Sequence, residues 1–339
     1  MRAGWYTDAY FNHARAALLA DDRHPSVVVQ VFQKNDAWLG GMDEAIAILK
    51  LCSHEPEGLT IRALHDGDRI EPWETVLAIE GDYTTFAHLE TVYLGTLARR
   101  TRITTNVVRV LEAAGGKPII FMPARHDHHR VQAGDGYAAW VAGRTIGAPV
   151  GVTTDEQASW WGGRAIGTVP HSLIAAYDGD TVLAARKFAE WAPDDMSVTV
   201  LVDFENDSVR TALEVAEALG QRLWGVRLDT SEMLVDHSLW EEMGDFKPTG
   251  VNERLVRKVR DALDAGGFGH VRIVVSGGFT VDKIRAFEER GVPVDAYGVG
   301  SSLIRGANDF TADVVMTDGQ PSGKFGRRLR ENPRLEPVS

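Results

Sequence analysis

The sequence predicts an α/β protein: a mixed N-terminal region followed by an irregular or incomplete barrel of parallel strands. Three observations carry this. From residue 117 short apolar strands alternate with helical runs, as parallel strands joined by crossover helices do. Seven strand candidates occur there, one fewer than a regular eight-stranded barrel needs. Polar and glycine residues gather just after those strands, where a parallel barrel carries its site.

The elements follow in order. SVVVQVFQ (26–33) reads as a strand, and MDEAIAILKLC (42–52) has helical apolar spacing after Gly40-Gly41. LTIRALHDGDRI (59–70) and TVLAIEG (75–81) read as strands with a turn carrying Asp66-Gly67. Residues 83–116 are helical in period and stop at Gly115-Gly116. The barrel candidates are KPIIF (117–121), PVGV (149–152), AIGTV (165–169), VTVLVD (198–203), LWGVRLD (223–229), VRIVVS (271–276) and VDAYGVG (294–300). Helical runs such as 208–220 and 251–267 separate most of them. The polar, basic tail from Gln320 reads as irregular. The expected domains are 1–116, 117–305, and a C-terminal extension, 306–339, packing back on the first.

Composition narrows the function. With 339 residues the chain is long enough for about two domains, and 44% hydrophobic with 25% charged residues excludes disorder or coiled coil as the main state. Lys and Arg number 36 against 48 Asp and Glu, a net charge of −12, which argues against nucleic acid or an anionic membrane as partner. A local basic pocket for a small anion stays open. The single cysteine, Cys52, excludes an intrachain disulfide or a thiolate zinc site and suits a reducing cytoplasm. The first residues lack the apolar core of a signal peptide, and no run of about 18 apolar residues occurs.

The strand ends supply the candidates. Arg125 and the run His126-Asp127-His128-His129 follow the first strand, and Thr153, Thr154 and Asp155 follow the second. His171 follows the third, and Asp203 ends the fourth. Arg227 and Asp229 alternate on the fifth, so both point the same way. They suit a phosphate and a sugar hydroxyl or metal ion, or else form a structural ion pair. Ser276-Gly277-Gly278 and Gly298, Gly300, Ser301 end the last two strands, where bare backbone N–H groups approach phosphate oxygens. The histidine run is not read as a metal site, because adjacent ligands rarely converge on one ion and no second cluster completes the set.

Together these motifs resemble the nicotinate phosphoribosyltransferase family, the type II enzymes that include nicotinamide and quinolinate members. The carrying stretches, in family order, are YTDAYF, YTTFAHLETVYLGTLARRT, Arg125 with His128, GTVPHS, GVRLDTSE, VSGGF, DAYGVGSSL and FTADVVMTDGQPSGKFG. The resemblance implies an N-terminal α/β sandwich and an irregular, incomplete (β/α) barrel. It implies an ATP-coupled enzyme of NAD salvage that joins nicotinate to phosphoribosyl pyrophosphate with Mg2+, giving nicotinate mononucleotide and pyrophosphate.

By resemblance, Tyr10 beside Asp8 stacks on the pyridine in the neighbouring subunit, which makes a homodimer with shared sites. Arg125 holds the carboxylate, with Thr153 and Thr154 nearby. Arg227 and Asp229 bind ribose and phosphates, while Ser276, Gly277, Gly278, Gly298, Gly300, Ser301 and Lys324 hold phosphate. His171 is the histidine that ATP phosphorylates, and Asp229 with Asp203 faces the sugar. Nicotinamide or quinolinate as substrate, or a non-catalytic phosphosugar-binding protein, are the alternatives.

Overall fold

A computed structural model describes residues 1–244 and 246–338. In chain order the strands are β1 (Ser26–Phe32), β2 (Ala37–Trp38), β3 (Thr60–Ala63), β4 (Arg69–Ile70), β5 (Thr75–Asp82), β6 (Ile119–Phe121) and β7 (Val150–Val152). They continue with β8 (Val198–Leu201), β9 (Leu223–Leu228), β10 (Arg272–Val275), β11 (Ala296–Val299), β12 (Thr311–Thr317), β13 (Gln320–Pro321) and β14 (Glu336–Pro337). The chain forms two compact units. One comprises residues 1–108, 137–145 and 305–339; the other comprises 109–136 and 146–304.

The first unit is built on an antiparallel sheet of order β13-β12-β1-β5-β3-β14. Val27, Val29 and Val31 alternate along β1 and are buried, the period-2 pattern of a strand with one apolar face. They join Ile61, Leu77 and Ile79 in a core closed by Ile48 and Leu49 of helix Met42–Cys52 and by Tyr93 and Leu97 of helix Glu90–Ala113. Gln30, on the alternate positions of β1, is also buried and binds the tail. Its amide donates to the Arg328 carbonyl and accepts from the Arg330 N–H, both at 3.0 Å. Asn332 donates to the Thr75 carbonyl at 2.8 Å. Buried side-chain amides thus tie down a tail with little ladder pairing. Residues 311–317, outside the strand readings, pair with β1 along their length except at a bulge that skips Val315.

The second unit carries a parallel sheet of order β7-β6-β11-β10-β9-β8. Read from β6 onward this is sequence order with the ends joined, so the sheet curls into an open ring. The expected third strand, 165–169, is corrected: it fills the gap between β7 and β8 without forming a strand. Ile166 N–H donates to the Val152 carbonyl and Val169 N–H to the Thr199 carbonyl, each at 2.8 Å, and one parallel bridge joins Val169 to Val200. Gly167 and the following Pro170 account for this, since glycine weakens a strand interior and proline cannot donate to a ladder.

Amphipathic helices cover the ring. Helix Glu253–Ala265 starts at Asn252, whose side chain accepts from Leu255 N–H, and buries Leu255, Val256, Val259 and Leu263 on one stripe. Among the described residues no helix is long and apolar enough to cross a membrane.

Candidate functional site

Arg227 and Asp229 share one face at the end of β9, and Ser276 follows β10 beside it. Arg227 Nη2 donates to Asp229 Oδ2 at 3.2 Å, and Arg227 Nε donates to Ser276 Oγ at 2.8 Å. Ser276 Oγ in turn donates to Asp229 Oδ1 at 2.6 Å. Arg227 Nη1 also donates to Thr168 Oγ1 at 3.3 Å. The pair is an ion pair at the strand ends, mostly covered, with the two side chains 16% and 20% exposed. Thr168 was not among the predicted residues, although GTVPHS contains it.

His171 opens helix His171–Ala176, and its Nε2 lies 3.0 Å from Asp203 Oδ1. The Asp203 carboxylate is 8% exposed and the imidazole 44%. The hydrogen bond to Asp203 raises the His171 pKa above the usual histidine value; Asp203 and Asp229 add to this by charge, while burial and Arg227 oppose it. The pair leaves Nδ1 unengaged among the described residues, so the ring has one anchored and one available nitrogen.

The two glycine turns end adjacent strands, since β10 pairs β11. Gly277 and Gly278 have φ of +82° and +70°, which L side chains rarely adopt. A Cβ at Gly278 would collide with the Glu232 carboxylate. A Cβ at Gly298 would lie 2.8 Å from Met122 Cε, and one at Gly300 3.1 Å from His126 Cε1. Among the described residues, the N–H groups of Gly277, Gly278, Phe279 and Gly300 donate to no backbone carbonyl. Such amides suit an anion.

The remaining predicted residues are placed as follows. Arg125 lies in the one-turn helix Ala124–His126, exposed, with no ion pair among the described residues. Thr153 and Thr154 lead into helix Asp155–Ala158, which Thr154 caps. Thr154 and Gln157 make a capping box, Thr153 Oγ1 donates to Gln157 Oε1 at 3.3 Å, and Thr154 Oγ1 donates to Gln132 Oε1 at 2.9 Å. Ser301 begins a one-turn helix, Ser301–Ile304. Tyr10, Asp8 and Lys324 belong to the first unit. There Tyr10 is 62% exposed with its hydroxyl 3.5 Å from Asp8 Oδ2, and Asp8 accepts from Thr91 Oγ1 at 2.8 Å. Lys324 is exposed in the tail.

The sequence reading missed Lys283, whose Nζ lies 3.5 Å from the Gly277 carbonyl and 4.3 Å from the centre of the Phe279 ring. Among the described residues no group of three or more His, Cys, Asp or Glu side chains could hold a metal ion.

A curled parallel α/β sheet with paired charges and unpaired glycine amides at its strand ends defines a barrel-like α/β protein whose polar groups gather where such folds carry a site. Residues 8–101 match the family described as quinolinate phosphoribosyl transferase, N-terminal domain. The chain is 31% identical to nicotinate-nucleotide pyrophosphorylase from Pyrococcus furiosus, whose crystal structure superposes with a TM-score of 0.82 over 99% of this chain and 83% of that one. It is 32% identical over 268 residues to nicotinate phosphoribosyltransferase pncB1 of Mycobacterium tuberculosis, covering 76% of this chain and 54% of that protein. Human nicotinic acid phosphoribosyltransferase shares the fold, with a TM-score of 0.69 at 17% identity over 95% of this chain and 77% of that one. The chain belongs to the nicotinate phosphoribosyltransferase family. It spans about half the length of the curated relatives it matches.

Proposed function

We propose that the chain is a nicotinate phosphoribosyltransferase, joining nicotinate to phosphoribosyl pyrophosphate and coupled to ATP hydrolysis through phosphohistidine at His171. The observation that carries this is the His171–Asp203 pair on the same ring of strand ends as the Arg227–Asp229–Ser276 network. The two groups match a histidine phosphoacceptor and a phosphosugar clamp, and the family membership supports both.

In this reading Arg125, an uncommitted guanidinium, holds the nicotinate carboxylate. The pyridine nitrogen attacks the anomeric carbon, the new N–C bond forms, and the C–O bond to pyrophosphate breaks. Positive charge develops on the ribose, and the carboxylates of Asp229 and Asp203 stabilise it. Arg227 and the glycine amides hold the phosphates. With no group of three or more His, Cys, Asp or Glu side chains that could hold a metal among the described residues, the donor set fits magnesium carried in by phosphoribosyl pyrophosphate. When bound, magnesium supplies countercharge to the leaving pyrophosphate.

In the coupling step the Nδ1 lone pair of neutral His171 attacks the γ-phosphorus of ATP. The bond to the bridging oxygen breaks and ADP leaves, while Asp203 keeps hold of the Nε2 proton. The added charge of about −1.5 to −2 is returned when water cleaves the phosphohistidine. Tyr10 stacks on the pyridine in a two-fold partner, so the working unit is a homodimer. The lone Cys52 suits a cytoplasmic setting.

Quinolinate is the second reading, favoured by the family that residues 8–101 match. Incubation with phosphoribosyl pyrophosphate, magnesium and each of nicotinate, nicotinamide and quinolinate in separate reactions, with and without ATP, separates the cases by which pyridine is consumed, carbon dioxide release marking quinolinate. Nicotinate mononucleotide formed fastest, and faster still with ATP, is expected. A higher kcat/KM for another pyridine overturns the substrate, and tight phosphoribosyl pyrophosphate binding without product overturns the enzyme reading.

A further inference from the structure

We propose that Lys283 is a phosphate-binding side chain of the 276–278 turn, supplying the positive charge that lets the turn accept a phosphate monoester. The inference rests on the phosphosugar reading above and deepens it. The turn has free amides, but its surroundings are negative. Asp229 Oδ1 lies 3.4 Å from where a Cβ on Gly277 would stand, and the Glu232 carboxylate lies against Gly278. An anion arriving there meets two like charges. Arg227 does not offset both, because it is already committed to Asp229, Ser276 and Thr168.

Lys283 is differently disposed. It sits in the first turn of helix Val281–Glu289 and folds back to the glycine turn, with Nζ 3.5 Å from the Gly277 carbonyl. Among the described residues it makes no ion pair within 4.0 Å. One of its three N–H donors faces Gly277, which leaves two for a ligand. The Phe279 ring, 4.3 Å from Nζ, backs the ammonium on one side and fixes its position by cation–π attraction. Burial lowers the Lys283 pKa, with Glu232 opposing and Lys247 reinforcing the shift. A partly desolvated ammonium gains more from a phosphate than a fully hydrated one does.

The local sequence carries the same sign. A lysine in a first helical turn opposes the helix dipole, which favours acidic residues there. The position is therefore unfavourable for the helix alone and favourable once an anion is present.

The test is calorimetric titration of the full chain with ribose 5-phosphate and, separately, with ribose, for the wild type, Lys283→Met and Lys283→Arg. The wild type is expected to bind ribose 5-phosphate, and Lys283→Met to bind it about 10- to 100-fold more weakly, the worth of one charge-assisted hydrogen bond. Lys283→Arg is expected to stay within about 10-fold of the wild type, with Tm unchanged in both variants. Lys283→Met binding as tightly as the wild type overturns the proposal. So does equal weakening in both variants with a lowered Tm, which marks a loop support. A wild type that forms nicotinate mononucleotide but loses no ribose 5-phosphate affinity in Lys283→Met rejects Lys283 and leaves the reaction standing. A wild type that binds no ribose 5-phosphate rejects Lys283, while turnover separately decides the reaction.

Discussion

Ser276 Oγ donates to Asp229 Oδ1 at 2.6 Å from the neighbouring strand end, and the same oxygen accepts from Arg227. One small hydroxyl thus sets the spacing between a cation on β9 and an anion two residues on, just past its end. Ser276 is buried, so its removal leaves two charged partners short of a hydrogen bond. Ser276→Ala should lower stability by about 1–3 kcal/mol, measured by urea unfolding, and raise the KM for phosphoribosyl pyrophosphate. Unchanged values of both contradict this role.

Asp203→Asn should remove the main cause of the raised His171 pKa. The histidine titration followed by NMR should move down toward the ordinary value of about 6.5. The sign for stability follows. A folded-state pKa above the unfolded one gives a contribution fully present below about pH 6.5 and lost as pH rises through the folded value. The stability gap between wild type and Asp203→Asn should therefore narrow with rising pH. A gap that widens contradicts the charge interaction.

His171→Ala should abolish phosphorylation. Incubation with γ-labelled ATP should label the wild type with an acid-labile, base-stable phosphate and leave the variant unlabelled. Equal labelling of both removes His171 from the coupling step.

Arg125→Ala should weaken nicotinate binding by about 1.5–3 kcal/mol with little change in Tm, because Arg125 is exposed. An unchanged KM for nicotinate assigns the carboxylate to another group.

Tyr10→Ala and Arg227→Ala, each inactive alone, should restore activity when mixed and allowed to exchange subunits. Half the dimers are then mixed, each with one intact site, so recovery should approach roughly a quarter of wild type. Exchange demonstrated with differently tagged chains and no recovery rejects the shared site.

Some of this molecule was legible and some was not, for identifiable reasons. The parallel alternation beyond residue 117 and the placement of Asp203, Arg227, Asp229 and Ser276 follow from strand period and from where strands end. Residues 165–169 misled because apolar content outvoted Gly167. Thr311–Thr317 was passed over because its residues are mostly half-buried, which blurs the alternation that marks a strand. The local role of Thr154 was legible but went unread: followed three residues later by Gln157, it is a capping-box signature. Lys283 had a local signal, a cation where the helix dipole disfavours one, but its return to Gly277 depends on rotamers that sequence period does not encode.

The two hydrogen bonds at Ile166 and Val169 turn the ring into a hoop with a lap joint. A hoop bonded all round resists shear everywhere, whereas this one yields first at the joint. Residues 160–168 are exposed or only partly buried, and side-chain contacts such as Ala165 N–H to Asp155 and Thr168 to Arg227 hold them in place of a ladder. Pro170 and His171 hang directly from that joint. His171 is therefore mounted beside the joint, while its carboxylate partner, Asp203, stands just past a strand of the hoop itself. Amide exchange at Ile166 and Val169 should outpace exchange in β9 and β10, a difference that would make the neighbourhood of His171 the first part of the hoop to open.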